Sequence, residues 1–411
     1  MITQPPLTIE FDAKDKNYNM VLFRGVPQNP TFRVDELETL VSTFNSRPTD
    51  TFICTYPKCG TTWMQQICHL LSHGGMQGES TMYATAPWLE CLCAAPILHE
   101  REANSFSLEA IEAKPASEPR FFKSHANLGD LPRGGKQVKV VYVARNPKDT
   151  CVSLWHHARE KPEFNLAGGA PRPGSDDPPA PVPVCDDFGD FVQLFLGGKA
   201  ECGSWFDHTL EWYAASLVDP SVLFITYEDL IKVKGVVGGM VGWTERTQRS
   251  PPLVHFAPAH KMRLEAHGLE PFLRTSCALT RCAPFVRQDP AAGIARVAAH
   301  VGVGNDAETI ARTVANSAMA EMKQTSGERR HARAGLTWSC SINGPLSHCH
   351  RACTASFVPG VYAGNVRQGG IGNWRKKLVE HSPLNAMFDG EYVKQMRGSG
   401  LRFDFGDGLV L

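Results

Sequence analysis

The chain lacks an excess of either charge and lacks a long apolar run. Lysine plus arginine and aspartate plus glutamate number 42 each, so no basic field favours nucleic acid and no run of one sign suggests a polyanion partner. No apolar stretch reaches 18 residues, and residues 1–24 lack a charged start followed by an apolar core. We therefore expect a cytoplasmic protein that neither binds nucleic acid nor spans a membrane.

The cysteines provide no disulfide framework. There are thirteen, an odd number, and many lie within predicted strands and helices, so reduced and mostly buried thiols are expected. The cysteines and histidines between residues 340 and 353 match no standard zinc spacing. We predict no metal site.

Residues 51–71 have the pattern of a buried strand, a tight turn and an amphipathic helix. Residues 51–54 are an apolar strand, and apolar residues then recur with helical spacing at 64, 67, 68 and 71. At the turn, Gly60 lets the backbone approach an anion, and the amides at the helix start favour negative charge. Lys58 adds a mobile positive charge. The segment predicts a site for a phosphorylated donor.

The order of residues in this turn differs from that of loops that bind nucleoside triphosphates. Those loops place lysine directly before the hydroxyl residue that holds magnesium. Here Lys58 comes before Gly60, and no aspartate after an apolar strand is clearly placed to hold a metal. A donor that needs no metal fits better. The segment alone also fits an ordinary strand-to-helix turn with a surface lysine.

A second anion site is predicted at the end of another strand. Residues 138–144 form a nearly continuous apolar run, which is typical of a central parallel strand. Arg145 follows this run, and Pro147 suits the first turn of a helix that carries Ser153. The arginine fork matches phosphate oxygens, and ligands of open α/β sheets bind at this edge. Two anion sites on neighbouring strand ends imply a donor with two separate phosphates.

A candidate base lies between these two sites in the sequence. Residues 121–125 form a short aromatic strand that places Lys123 and His125 at alternate positions, hence on one face. Histidine is the side chain best suited to accept a proton near neutral pH. Taken alone, His125 is an ordinary packed or surface histidine. Its place beside a lysine and between two anion sites favours a base.

Several blocks in order resemble the cytosolic sulfotransferases, which transfer a sulfuryl group from 3′-phosphoadenosine 5′-phosphosulfate (PAPS) to a hydroxyl or amine. The resemblance covers most of residues 20–232, 288–324 and 360–405. The similar blocks are residues 56–63 (the 5′-phosphosulfate loop), 123–125, 145–153 (the 3′-phosphate block), 203–213, 222–230 and 366–374 (the last 3′-phosphate loop).

The resemblance implies a role for each matching residue. Lys58 neutralises charge on the leaving nucleotide, Lys123 stabilises the sulfuryl oxygens, and His125 removes the acceptor's proton during in-line attack. The implied donor-binding residues are Lys58, Cys59, Gly60, Thr61 and Thr62 at the 5′-phosphate, with the amides of residues 59–62 as the ligands; Arg145, Ser153, Arg367, Gln368 and Gly369 at the 3′-phosphate; and Trp63, Tyr227, Ser317 and Met319 at the adenine.

The chain departs from the family pattern at some of these positions. Cys59 replaces a serine, but the role implied there belongs to the backbone amide. Gln368 replaces a lysine, which should weaken donor binding, and Met319 cannot stack on a base as an aromatic ring does. The family's dimer motif is not recognisable after Trp374, so the oligomeric state stays open.

Two alternatives to an active sulfotransferase follow. A catalytically impaired relative that binds PAPS or its product fits the altered donor positions. A P-loop kinase would use ATP with magnesium, and the missing lysine-before-hydroxyl order argues against it.

The same segments predict the fold and its organisation. Buried strands at 51–55, 120–123, 138–144 and 222–226 alternate with helices, which predicts an α/β three-layer sandwich with a central parallel sheet, the P-loop-like sulfotransferase fold. We predict one domain over residues 1–411, interrupted by irregular insertions. These insertions span about 162–187, 233–287 and 325–357.

Two readings of the insertions stay open. The proline-rich first one is either a gate to the acceptor pocket or a spacer. The other two are surface insertions or translated non-coding sequence. The family's acceptor is a small molecule in a pocket of variable loops, which here include residues 87–90.

Overall fold

A computed structural model describes residues 20–78, 80–94, 107–160, 187–231, 289–318 and 370–406. Within these ranges the strands are β1 (Val21–Phe23), β2 (Val26–Gln28), β3 (Thr51–Thr55), β4 (Phe121–Ser124), β5 (Lys139–Ala144) and β6 (Val222–Thr226). The α-helices are α1 (Val34–Thr43), α2 (Thr61–Ser72), α3 (Met82–Thr85), α4 (Leu108–Glu112), α5 (Pro147–Glu160), α6 (Phe188–Leu196), α7 (Trp205–Val218), α8 (Pro290–Val301), α9 (Ala307–Asn316) and α10 (Pro383–Met396). Short 3-10 helices cover Leu89–Cys93, Leu128–Asp130, Glu228–Leu230 and Asn373–Lys376.

Four parallel strands form the central sheet, in the order β4-β3-β5-β6. Thr55 lies opposite Val143, and Ala144 lies opposite Thr226, so the strands end nearly level. Strand β3 buries all its residues and β5 all but the first, as expected for strands covered on both faces. The predicted parallel sheet is confirmed, and each strand boundary differs from the prediction by at most one residue.

Helices cover both faces of this sheet, which produces the three predicted layers. Ile53 and Val141 face a core shared with α2 and α8. Phe52 and Tyr142, their neighbours along the strands, face a larger core shared with α5, α6 and α7. Alternate residues serve opposite cores because strand side chains repeat every two residues. The apolar residues at 64, 67, 68 and 71, whose spacing predicted a helix, are buried in the first of these cores.

A small antiparallel hairpin precedes the sheet and was not predicted. Phe23 pairs with Val26, and the two turn residues, Arg24 and Gly25, have φ values of 50° and 79°. Positive φ at both positions is the turn geometry that suits the twist of a tight hairpin. Strands of three residues are too short to show an alternating pattern in the sequence.

The chain leaves the described core after Ile231 and returns at Asp289 beside the point of departure. Asp289 caps α8 by accepting a hydrogen bond from the amide of Ala291 at 3.0 Å. One turn later Gly293 lies so close to Leu230 that an added Cβ would be 2.8 Å from Cδ2 of that leucine. The two ends of the intervening segment are therefore in direct contact.

The predicted insertions lie almost entirely outside the described residues. Of the first, only Asp187 is described, and it caps α6 by accepting a hydrogen bond from the amide of Asp190 at 3.0 Å. The ranges 233–287 and 325–357 fall wholly outside. Among the described helices, none is both long and apolar enough to cross a membrane.

A buried ion pair stabilises the amino-terminal edge of the sheet. Arg120, just before β4, donates from Nε to Oδ1 of Asp50 at 2.7 Å, and the two side chains are 1% and 0% exposed. Its Nη2 also donates to the carbonyl of Asn45 at 3.1 Å. Removing one member of such a pair leaves the other charge buried without compensation.

We expect Arg120→Leu to lower the free energy of unfolding by about 3 to 5 kcal/mol, because Asp50 keeps a buried charge without its partner. Arg312→Leu is the control, since it removes an equivalent but exposed partner from Glu308 and should barely move the unfolding midpoint. Urea unfolding followed by tryptophan fluorescence measures both variants. Equal destabilisation by the two substitutions would contradict this account of the edge.

Candidate active site

The described residues that were predicted to form the site meet at the carboxyl edge of the sheet. Thr55 ends β3, His125 follows β4, Arg145 follows β5 and Tyr227 follows β6. Because the four strands are parallel and end nearly level, these positions succeed one another across a single edge.

The turn between β3 and α2 is shaped by two residues with positive φ, Lys58 at 70° and Gly60 at 106°. An added Cβ at Gly60 would lie 2.7 Å from Cδ2 of Tyr227, so only glycine lets the turn pack on that ring. The first amides of a helix have no intrahelical acceptors, and α2 begins at Thr61 without a side chain that caps them. The helix start is thus arranged as an anion-binding site.

The side chains of the turn tie it to the elements beneath. The hydroxyl of Thr61 lies 2.6 Å from that of Thr55 and joins the helix start to the strand end. Cys59 is fully buried with its sulfur 3.5 Å from Oγ1 of Thr150, and burial raises the pKa of its thiol to about 12. The amide of Cys59 donates to the carbonyl of Tyr56 at 3.2 Å. The amides of residues 59–62 were expected to bind the 5′-phosphate, but the first of them already donates a hydrogen bond within the turn. The expected anion site is therefore reduced to the amides of residues 60–62.

His125 is held in one tautomer by the neighbouring strand. Its Nδ1 lies 2.8 Å from the carbonyl oxygen of Thr55, and a carbonyl can only accept, so Nδ1 carries the proton and Nε2 the lone pair. Its ring packs edge-on against Trp88, with centroids 5.2 Å apart. Burial and then the charge of Lys123 lower the pKa of His125 well below its usual 6.5. The ring is a neutral proton acceptor.

Two lysines contribute positive potential at His125. The Nζ of Lys123 lies 3.8 Å from the centroid of Trp88, and the Nζ of Lys58 lies 3.4 Å from Nδ1 of His157. Both ammonium charges lower the pKa of His125. The structure thus brings together the three residues that were predicted to be catalytic.

A buried histidine supports the main chain at His125. His208 donates from Nε2 to the carbonyl of His125 at 3.2 Å, and its Nδ1 accepts from the hydroxyl of Tyr142 at 2.8 Å. Burial lowers the pKa of His208 to about 4, so its ring is neutral at physiological pH. The sequence did not predict the contact between His208 and Tyr142, because these two side chains meet only when α7 packs on β5.

Arg145 is buried, at 9% exposure, with its guanidinium oriented by main-chain carbonyls. Its Nη1 donates to Lys58 at 3.3 Å and its Nη2 to Gly370 at 3.1 Å. Its Cζ lies 4.6 Å from the ring centroid of Tyr227. Its buried Nε has no hydrogen-bond partner among the described residues. Since buried N–H groups are normally paired, this nitrogen is a ready donor for an anion's oxygen.

Ser153 lies on the face of α5 that looks toward the turn. Thr150 and His157 precede and follow it by three and four residues, and they contact Cys59 and Lys58 respectively. Positions with that spacing share one helix face. Ser153 itself is half-buried there.

Three buried polar residues behind Arg145 form a network that sequence reasoning did not assign. Asp149 accepts from the amides of Gly372 and Trp374, each at 2.9 Å. Asn146 donates from Nδ2 to Oδ2 of Asp149 at 2.9 Å and to Oε1 of Glu228 at 3.0 Å. Burial raises the pKa of Glu228 to about 8. The available signal was the position of both acids within matched blocks, two to five residues after the end of a buried strand.

Trp63, near the start of α2, contacts both Tyr227 and Ser317. The Nε1 of Trp63 donates to the carbonyl of Ser317 at 2.9 Å, which ties α2 to the end of α9. The rings of Trp63 and Tyr227 meet edge to face with centroids 5.2 Å apart. Two aromatic rings beside an arginine provide a surface on which a flat base can pack.

Four predicted donor-binding residues lie outside the described residues, namely Met319, Arg367, Gln368 and Gly369. The described chain resumes at Gly370, whose carbonyl contacts Arg145. Within the described ranges, no group of three or more histidine, cysteine, aspartate and glutamate side chains is arranged to hold a metal ion.

A small cavity adjoins His125 on the side of the hairpin. Its volume of about 20 Å³ admits about one water molecule. Glu90 lines it with one carboxylate oxygen bonded to Oγ of Ser124, and burial raises the pKa of that carboxyl to about 7. Its lining also includes Phe23, Phe32, Trp88 and Cys202.

The chain is similar to known proteins over about half of its length. A family model described as the sulfotransferase domain matches residues 48–236. Sulfotransferase 1A1 of Rattus norvegicus is 34% identical over 218 residues, which cover 51% of this chain and 64% of that protein. Sulfotransferase 1E1 of Bos taurus is 32% identical over 211 residues, which cover 50% of this chain and 61% of that protein. The matched stretch thus spans less than two thirds of each relative.

Solved structures share the fold along most of the chain. Mouse sulfotransferase SULT7A1 complexed with PAP superposes with a TM-score of 0.54 at 21% identity, covering 92% of this chain and 95% of that one. Retinol dehydratase in a complex with retinol and PAP superposes with a TM-score of 0.56 at 18% identity, covering 98% and 99%. At these identities the likeness concerns the fold alone. The family model and the curated relatives lead to one conclusion: residues 48–236 of this chain are similar to the sulfotransferase domain.

Proposed function

We propose that the chain is a sulfotransferase that moves the sulfuryl group of PAPS to a hydroxyl or amine of a small-molecule acceptor. The observation that carries the proposal is His125, whose Nε2 is left as a proton acceptor at a strand edge that also holds two lysines and Arg145. The names of the rat and bovine relatives and the PAP in two structural neighbours support this chemistry and this donor.

The residues at the edge fit a donor with two separate phosphates. The uncapped start of α2 and Lys58 suit the 5′-phosphosulfate. Arg145, whose Nε has no hydrogen-bond partner in the described part of the chain, and Ser153 suit the 3′-phosphate. Between them, Trp63 and Tyr227 offer the adenine an aromatic surface. We keep Cys59, Gly60, Thr61, Thr62, Ser317, Met319, Arg367, Gln368 and Gly369 in the proposed donor site, as the family resemblance implies.

The proposed transfer is a single displacement at sulfur. The acceptor's oxygen or nitrogen forms a bond to sulfur while its proton moves to Nε2 of His125. The bond from sulfur to the bridging oxygen breaks, and its electron pair stays on the 5′-phosphate of the nucleotide. Lys58 stabilises the charge that develops there, and Lys123 stabilises the sulfuryl oxygens.

The surroundings of His125 are matched to this proton transfer. After transfer the imidazolium keeps its hydrogen bond from Nδ1 to the carbonyl of Thr55, which stabilises the new charge. The two lysines lower the pKa of the ring in the free protein. A bound donor brings negative charge beside those lysines, which raises the pKa of His125 and strengthens it as a base.

The acceptor is proposed to approach through the cavity beside His125. The rings of Phe23, Phe32 and Trp88 provide apolar walls suited to a phenol or a sterol. Because the cavity admits only about one water molecule, an acceptor of that size has to push its walls apart.

A second candidate is a relative that binds the donor or its product without turnover. Gln368 and Met319, which replace better phosphate and adenine ligands of the family pattern, favour it. It predicts heat stabilisation by 3′,5′-bisphosphoadenosine and no sulfated product on any acceptor.

We expect the purified chain to sulfate members of a panel of phenols, sterols and amines from radiolabelled PAPS without added metal. His125→Ala should lower kcat by about 10² to 10⁴-fold, the usual contribution of a general base, and keep its affinity for 3′,5′-bisphosphoadenosine. His73→Ala, an exposed histidine at the far end of α2, is the matched control and should keep full activity. Full turnover by the His125 variant would refute the mechanism, and binding without turnover by the unchanged chain would favour the second candidate.

We expect the acid limb of the pH profile of kcat/KM for the donor, which reports the donor-free protein, below pH 6.5. Burial and the charge of Lys123 hold the pKa of His125 below that value. The ring therefore stays unprotonated at pH values at which an ordinary histidine becomes protonated. Lys123→Gln should move the limb to higher pH, because one charge that opposes protonation is gone. Lys139→Gln, at the other end of β5, should not move it. A limb above pH 6.5 in the unchanged chain would contradict the assignment of the base.

A further inference from the structure

Asp149 joins two parts of the chain that are distant in sequence. Its Oδ1 accepts from the amide of Trp374 and its Oδ2 from that of Gly372, both at 2.9 Å. Asn146 adds a bond from Nδ2 to Oδ2, also at 2.9 Å. The carboxylate is only 2% exposed, so these N–H groups take the place of water. One side chain thereby fixes residues 370–374 to the start of α5.

The segment fixed in this way also contacts Arg145. The carbonyl of Gly370 accepts from Nη2 of Arg145 at 3.1 Å, and Oδ2 of Asp149 lies 4.0 Å from the same nitrogen. The other terminal nitrogen, Nη1, donates to the carbonyl of Lys58 at 3.3 Å. The direction of the N–H on Nε therefore depends on where Gly370 lies, and Asp149 determines that position.

We propose that Asp149 is a positioning residue for the 3′-phosphate of the donor. It sets the guanidinium of Arg145 and residues 370–374 in place without touching the nucleotide. A direct contact is disfavoured, because a carboxylate repels a phosphate and the oxygens of Asp149 already accept three N–H groups of the protein. The inference rests on the proposed function, since it presupposes a donor with a 3′-phosphate.

The segment has further anchors that do not involve Asp149. Trp374 is 2% exposed and donates from Nε1 to the carbonyl of Phe405 at 2.9 Å. The Nζ of Lys148 lies 4.2 Å from the centroid of its indole ring. Weakening Asp149 should therefore shift Gly370 and Gly372 while the rest of the segment stays packed.

Two nucleotides that differ only in the 3′-phosphate test the proposal, 3′,5′-bisphosphoadenosine and adenosine 5′-monophosphate. Asp149→Asn keeps the size of the side chain and replaces one acceptor by a donor. Calorimetry should show about ten-fold weaker binding of the bisphosphate, about 1.4 kcal/mol, with little change for the monophosphate. Asp219→Asn is the matched control, because Asp219 accepts the amide of Ser221 at 2.9 Å at the amino-terminal end of β6, and this variant should preserve the preference for the bisphosphate over the monophosphate.

The other outcomes contradict either the role of Asp149 or the assignment of the donor. Equal weakening of both nucleotides in Asp149→Asn, or no weakening, overturns the positioning role. If that variant does not fold, Asn146→Ala replaces it, because it removes the bond from Nδ2 to Asp149 and keeps the carboxylate. This variant should also reduce the preference for the bisphosphate over the monophosphate. An unchanged preference overturns the positioning role. An unchanged chain that binds neither nucleotide overturns the donor assignment itself, so the two failures are distinguishable.

Discussion

Parallel pairing with level strand ends is the constraint on which the rest of the structure depends. Because Thr55 lies opposite Val143 and Ala144 opposite Thr226, the chain leaves the sheet at one edge several times. Each exit delivers one polar group to a common place although the groups are far apart in sequence. A shift of one residue in any strand would turn its side chains to the opposite face. The packing of apolar residues on both faces of the sheet therefore protects the geometry of the polar edge.

The positive character of this edge is local, since the whole chain carries equal numbers of acidic and basic residues. Arg145 is oriented mainly by neutral carbonyl groups, which hold the guanidinium without cancelling its charge. The nearby Glu228 has a pKa of about 8, so it is mostly protonated at neutral pH and adds little negative charge. Among the described residues, Asp149 is the acid within 4.0 Å of the arginine, and three N–H groups stabilise its carboxylate. An anionic ligand thus meets a cation that the protein has left largely uncompensated.

The sequence revealed the features that follow from local periodicity. Continuous apolar runs indicated the buried strands, and the alternation of Lys123 and His125 placed both on one face. It did not reveal contacts that arise from packing of distant elements, such as His208 on the carbonyl of His125 or Asp149 on Gly372. Nor does a local sequence pattern show that the amide of Cys59 donates to the carbonyl of Tyr56 within the same turn. These interactions depend on three-dimensional neighbours, which one sequence without relatives does not specify.

The contact between Leu230 and Gly293 has a consequence for how this protein can vary. This contact brings the two described ends of the joining sequence together, and the entropy cost of closing a loop grows slowly with its length. A change of length between the two ends therefore adds little closure entropy while Leu230 and Gly293 stay in contact. The same junction is a suitable point for inserting a fluorescent reporter or an affinity tag, because the inserted domain's own termini need only lie close together.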